Sequence, residues 1–227
     1  MALCTYSLQN VIDWARTQVK LIPLVGVGGF TNEPALTICN SVMQEILSEP
    51  FNWKWNRIDA SSFDTIDKTQ DYVRTITNLG WLESCVLEDK ANTSTPKPVR
   101  EIEVVRVLPK TSIVADPVKI AVMNETDSDV TFRFMPIPAS VIWTVYPVYQ
   151  KKPLLKTAMN DKWDPIPDEL SYVYKQGFLA LAKRHAESPD WINEYQLFLS
   201  MLRKALGIEN VEGCNEGFYP ERPILIG

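Results

Sequence analysis

Histidine is nearly absent from this chain: His185 is the only one, and no G-x-S-x-G elbow or comparable nucleophile signature accompanies it. A general base needs a positioned Ser or Cys and an orienting acid, so His185 reads better as a helix-end residue that packs and complements the helix dipole. Cysteine is scarce and dispersed. Cys4, Cys39, Cys85 and Cys214 form no C-x-x-C pair and lie among apolar neighbours or in a loop, unlike a zinc site or a disulfide framework, which implies reduced thiols in a cytosolic product. A long hydrophobic run is missing as well: nothing approaches the roughly 18 apolar residues of a membrane span, and no basic region precedes an apolar one at the start. An aqueous, reducing compartment is expected, with no membrane contact. Cationic excess is also lacking: 23 Lys and Arg face 28 Asp and Glu, a net charge of −5, so tight nucleic-acid binding is not expected.

Glycine clusters only once, at Gly26, Gly28 and Gly29, where the Lys-Ser/Thr of a P-loop is missing and no strand precedes; an inter-helix loop is the better reading. Glu125, Asp127 and Asp129 alternate like a calcium loop but lack its glycine and its closing bidentate acid, which leaves a hairpin turn. Asp59, Asp64, Asp67 and Asp71 fit no paired-carboxylate spacing. Without a basic groove, Trp53, Trp55, Trp81 and Trp143 read as packing anchors and not as a stacking platform. No cofactor, metal site or catalytic residue is expected.

What is present is pattern. With 45% hydrophobic and 22% charged residues, the chain can bury one substantial core or two small ones. Leu8, Val11, Ile12, Ala15 and Val19 recur at helical spacing behind Ser7, predicting a helix over 7–20. Thr31 or Asn32 can cap a second, with Leu36, Cys39, Val42, Met43, Ile46 and Leu47 on its apolar face up to Pro50. The last third predicts a helical hairpin. Its first helix opens behind Pro165 and Pro167, with Asp168 and Glu169 in the first turn, and buries Leu170, Val173, Tyr174, Phe178 and Leu181. Its second opens at Ser188-Pro189-Asp190, ends at Gly207, and buries Trp191, Ile192, Tyr195, Phe198, Leu199, Leu202 and Leu206.

Between the pairs the period becomes two. Phe51, Trp53 and Trp55 alternate with polar residues as in a strand, and further strands are predicted at Tyr72–Ile76, Trp81–Glu88, Glu101–Leu108, Val118–Met123, Val130–Met135 and Val141–Tyr149. Residues 90–98 and 125–129 break them as hairpin connections. The expected fold is α+β: a helical bundle made by the N-terminal pair (1–50) and the C-terminal long-helix hairpin (151–207), with a β-rich module (51–150) inserted and an extended tail (208–227).

This order of elements, with the Pro-Phe-Asn-Trp-Lys-Trp run at Pro50 to Trp55 and Ile-Pro-Asp-Glu-Leu at Ile166 to Leu170, resembles the head-to-tail adaptor (connector) proteins of short-tailed bacteriophages, the tail tubular protein A and tail accessory factor type. The resemblance covers residues 5–57 and 164–207. It implies a virion protein of the neck, assembled in the host cytoplasm as a homododecameric ring that binds the portal protein, extends the DNA ejection channel and receives tail nozzle or fibre proteins. An acidic conduit suits DNA that passes through without specific binding, since like charges repel phosphates. In such proteins the C-terminal tail reaches the portal; here the matching anchors are Phe218, Tyr219, Ile224, Leu225 and Ile226, apolar groups that bury area only in a partner. Trp143, Tyr146 and Tyr149 are the expected nozzle or fibre contacts, with the 90–98 loop. Two alternatives stand beside it: a neck or stopper protein of a long-tailed phage, with the β module at the channel, or a ligand-binding module or enzyme using the β region's tryptophans.

Overall fold

Ser7 begins the first element by reciprocal capping. Its hydroxyl accepts the Asn10 N–H (3.3 Å) while its own N–H donates to Asn10 Oδ1 (2.9 Å), so two otherwise orphaned donors are satisfied at the start of α1 (Leu8–Gln18). In this computed structural model, which describes residues 4–18, 34–49, 51–126 and 128–207, α2 (Ala35–Ile46) follows; the candidate caps Thr31 and Asn32 lie outside the described residues, and Pro34 occupies the cap position. A short 3-10 turn (Asp168–Leu170) leads into α3 (Ser171–His185), and α4 (Trp191–Ala205) runs back along it to Gly207, whose φ of +73° fits a glycine helix stop.

The four helices close around one apolar cluster. Leu8, Val11 and Ile12 of α1, Ile38, Val42 and Ile46 of α2, Val173 and Phe178 of α3, and Phe198 and Leu202 of α4 are buried together with Trp53 and Trp163. Trp163 stacks on Tyr174 at 4.5 Å between ring centroids, and its ring N–H donates to the Ser7 carbonyl (3.2 Å). Asp168 does more than complement a dipole. Its carboxylate accepts the backbone N–H groups of Thr5 and Tyr6 and the Thr5 hydroxyl, fastening residues before α1 to the turn before α3. At Gly177 the helices approach closely: a Cβ there would stand 2.8 Å from side chains of both Val42 and Phe198.

The strands are β1 (Arg57–Asp59), β2 (Phe63–Asp64), β3 (Asp71–Thr75), β4 (Leu79–Asp89), β5 (Val99–Val104), β6 (Lys119–Glu125), β7 (Asp129–Met135) and β8 (Trp143–Lys151). They form one mixed sheet in the order β1-β8-β4-β5-β6-β7-β3, with β2 also on β8. β5 is its joint. Residues 99–102 pair antiparallel with β4, whereas Glu103 and Val104 pair parallel with β6. The sheet curls, because Phe63 on the β8 side lies against Tyr72 of β3 (5.6 Å) and Phe132 of β7 (5.9 Å), strands at the far end of the order. Inside the curl Phe132, Phe134, Ile120, Val130, Val145 and Leu87 are buried.

This architecture corrects the expected fold class. The chain is β-rich, an eight-stranded mixed sheet curled into a half-barrel beside four helices, and not a helical bundle carrying an inserted β module. Periodicity locates elements one at a time and carries no information on how strands order, so it missed that residues 57–151 close a sheet with its own core. The aromatic run is a second correction. Residues 51–56 form an extended and turn segment and not a strand: Trp53 is buried among the helices, its ring N–H donating to Ile46 O (2.6 Å), and Trp55 stacks on it at 5.2 Å. Alternation there arose from two tryptophans on one side of a turn. The strand predicted to reach Leu108 stops at Val104, and β1 and β2 carry no pattern long enough to read. The predicted apolar face of α4 is only partly covered: Phe198 and Leu202 are buried, while Ile192 is 53% exposed.

Candidate functional site

Among the described residues helices pack chiefly on helices and strands on strands, and the two apolar clusters share no residue. Between them runs a polar seam. Gln150 Nε2 donates to the Trp53 carbonyl (3.1 Å) and to Glu83 (2.6 Å), and Asn56 Nδ2 donates to Lys151 O (2.9 Å). Along this seam opens a cleft of about 570 Å³. Glu49 and Asn52, in the segment after α2, form one wall; Gly80, Trp81, Glu83, Arg106 and Glu125 stand on the sheet side, over Leu79, Leu82, Val104 and Val122. It exists because β5 leaves β4 after Ile102, so residues 79–84, paired with β8 on one edge, have no strand paired to the other.

The charged groups of the cleft are matched. Glu83 is drawn up by burial but held below the usual carboxylate range by its hydrogen bonds from Arg57 and Gln150. Glu125 pairs with Lys152 (2.8 Å) and Glu49 with Arg106 (3.3 Å). The Trp81 ring N–H donates to Asn52 Oδ1 (3.0 Å) across the opening. A carboxylate held ionised by a cation is poorly placed to take a proton, since general bases and acids need pKa values near the working pH.

A second groove, about 740 Å³, lies between α2 and the end of α3 and is lined by Ile38, Ser41, Glu45, Leu181, Arg184 and His185. His185 is exposed there, which corrects its expected packing role; Arg184 instead lies over the Trp191 ring (5.3 Å). Among the cysteines, burial pushes Cys85 up to about 12 and, with Asp168 and Asp164 nearby, Cys4 up to about 11, while Cys39 rises further still. Such thiols carry almost no thiolate at neutral pH. Cys214 and the glycine cluster lie outside the described residues. Among the described residues no group of three or more His, Cys, Asp or Glu could hold a metal ion; Glu125 faces Lys152, Asp129 bonds Thr75, and Asp127 lies outside the described residues. Asp64 pairs with Lys90 and Asp71 with Arg133, so these two aspartates serve separate ion pairs and not a shared carboxylate site. No described helix is long and apolar enough to cross a membrane.

Phe218, Tyr219, Ile224, Leu225 and Ile226 lie outside the described residues. Trp143, Tyr146 and Tyr149 do not share a face. Along β8 the odd residues Trp143, Val145 and Tyr149 turn into the curl and Tyr149 is buried, while Tyr146 points out. The larger uncovered apolar surface is the arm between β5 and β6, read from sequence partly as strand. Val107 (72%), Ile113 (61%), Val114 and Val118 are exposed on it. The arm is nevertheless held in place: Leu108 is buried, Arg133 donates to Leu108 O (3.1 Å), Gln70 to Pro109 O (3.2 Å), and Ala115 N–H to Ile137 O (3.0 Å). The sequence signal was available in V-L-P-K-T-S-I-V-A-D-P-V, where apolar residues stand between prolines with neither a period of two nor of 3.6. No protein-family model matches the chain, and no curated protein matches its sequence.

Proposed function

We propose that this chain is a structural virion protein, a subunit of an oligomeric adaptor ring that joins the portal to the tail of a bacteriophage and extends the DNA channel, without a catalytic step or cofactor. The observation that carries this reading is uncovered apolar surface on two separate parts of one subunit: the fixed arm with Val107, Ile113, Val114 and Val118, and α4 with Ile192 and Leu197. A ring closed by heterologous contacts uses two different surfaces on each copy, and exposed apolar patches mark such contacts. The resemblance rests on residues that do structural work in the helical cluster, Trp53 and the Ile166 to Leu170 run, which supports carrying the adaptor reading over to this chain. In this reading the portal contact belongs to Phe218, Tyr219, Ile224, Leu225 and Ile226, and Tyr146 is the outward member of the nozzle or fibre surface. DNA passes along an acidic ring without being held.

The test is negative-stain electron microscopy with light scattering of the full chain, alone and mixed with the portal protein encoded beside its gene. Rings, or stoichiometric capping of portal lost on deleting residues 208–227, are expected. A monomer that also ignores portal would contradict the reading.

A further inference from the structure

The seam between helices and sheet has the construction of a hinge. The chain crosses it twice, at Asn56–Arg57 and at Lys151–Lys152, and the crossings lie side by side, joined by a long backbone bond from Lys151 N–H to Asn56 O (3.4 Å). Two adjacent crossings define one axis. To one side of that axis lies the 570 Å³ cleft, so rotation about it widens or narrows the cleft without disturbing either apolar cluster. Among the described residues the walls are joined by polar contacts: Trp81 to Asn52, Lys152 to Glu125 (2.8 Å) and to Asn78 O (3.0 Å) beside the crossing, and Arg106 to Glu49, the last between side chains 86% and 52% exposed. An exposed ion pair of that kind is screened by solvent and contributes little. Small polar interfaces between separate cores make relative motion the default expectation. Asn56 Oδ1 and Gln150 Oε1 are buried at the seam without a hydrogen-bond partner among the described residues, so the polar contacts there are incompletely matched.

We propose that the curled sheet swings as a unit against the four helices about the Asn56/Lys151 crossing, with Trp81–Asn52 and Arg106–Glu49 as the latch that holds the cleft shut. The motion alters the angle between the arm of residues 105–118 and α4, which is the degree of freedom a subunit needs to meet different neighbours with one fold.

The measurement is the distance distribution between spin labels on the full chain, by double electron–electron resonance. Labels go on Ser200→Cys of α4 and Thr93→Cys of the β4–β5 connection, both exposed, in a Cys4→Ser, Cys214→Ser background that leaves only the buried Cys39 and Cys85. Wild-type latch residues are compared with Asn52→Ala combined with Glu49→Gln; Glu49→Gln alone, a change at an exposed site, serves if the double variant does not fold. The expected result is a distribution whose width at least doubles on unlatching, while hydrogen-exchange protection inside each cluster is unchanged. A single narrow distribution of the same width with and without the latch would overturn the hinge. The isolated chain is used, so this outcome is independent of whether rings form with portal.

Discussion

The helical cluster and the curled sheet bury similar kinds of surface by different means. The helices depend on residues far apart in sequence: Trp163 reaches Ser7, Asp168 reaches Thr5 and Tyr6, and Val42 and Phe198 meet at Gly177. Their interior mixes aliphatic side chains with the fully buried rings of Trp163, Tyr174, Phe178 and Phe198. In the sheet four rings from separate strands interlock among aliphatic neighbours, Phe63, Tyr72, Phe132 and Phe134, with Arg74 over the Phe63 ring at 4.2 Å. Its edge strand β3 is clamped to β7 by the Asp71–Arg133 pair. Each region thus has its own closing device, and what lies between them is polar. The lesson is that this chain behaves as two cores connected by a thin seam, so damage to one should stay local.

Trp163→Ala is expected to do the greatest harm. It removes a fully buried ring, its stack on Tyr174 and its bond to Ser7, and costs about 3–5 kcal/mol. Denaturant unfolding followed by near-ultraviolet circular dichroism measures this, with the loss confined to the helical transition. Phe132→Ala is the counterpart in the sheet, about 3–4 kcal/mol from a fully buried ring that faces Phe63, with the helical transition retained. Gly177→Ala asks whether the helical core is tight or merely apolar. A Cβ at 2.8 Å from Val42 and Phe198 has to push one of them aside, so a loss of about 1–3 kcal/mol is expected in thermal unfolding although alanine favours helix. No loss would mean that α4 moves away freely.

The smallest effect is electrostatic. Asp71 is held below the usual carboxylate range by its hydrogen bonds from Arg133, and Asp168 by those from the Thr5 hydroxyl and the backbone of Tyr6 and Thr5. A carboxylate whose folded pKa is depressed stabilises the fold above its unfolded value of about 3.9 and loses that contribution as pH falls through the lower folded value. Both regions therefore weaken in acid. Asp71→Asn is expected to flatten the acid dependence of the sheet transition and leave that of the helices unchanged, which melts recorded from neutral pH into the acid range will show; both groups are substantially solvated, so the change is modest.

Much of this was legible residue by residue. The 3.6 period located α1, α2 and α3, with Leu170, Val173, Tyr174, Phe178 and Leu181 buried as expected, and alternation located β3, β4, β6, β7 and β8 to within a few residues. Pairing was not legible. β5 divides itself between β4 and β6 because the partners' positions require it, and nothing in V-R-E-I-E-V announces a change from antiparallel to parallel neighbours. Phe51, Trp53 and Trp55 alternate yet form no strand, because Trp53 is drawn into the helical core and Trp55 follows it. α4 carries a wider apolar face than its neighbours cover, which sequence alone reads as burial. The cleft was invisible for the same reason as the sheet order: it is a gap left by strand pairing, and its residues are scattered from Glu49 to Glu125.

Hydrogen exchange with mass spectrometry on full-length Trp163→Ala against the wild type tests the two-core account most directly. The account predicts that protection falls across α1 to α4 while β4, β7 and β8 keep theirs. Equal loss in helices and sheet would contradict it and make the molecule a single cooperative unit.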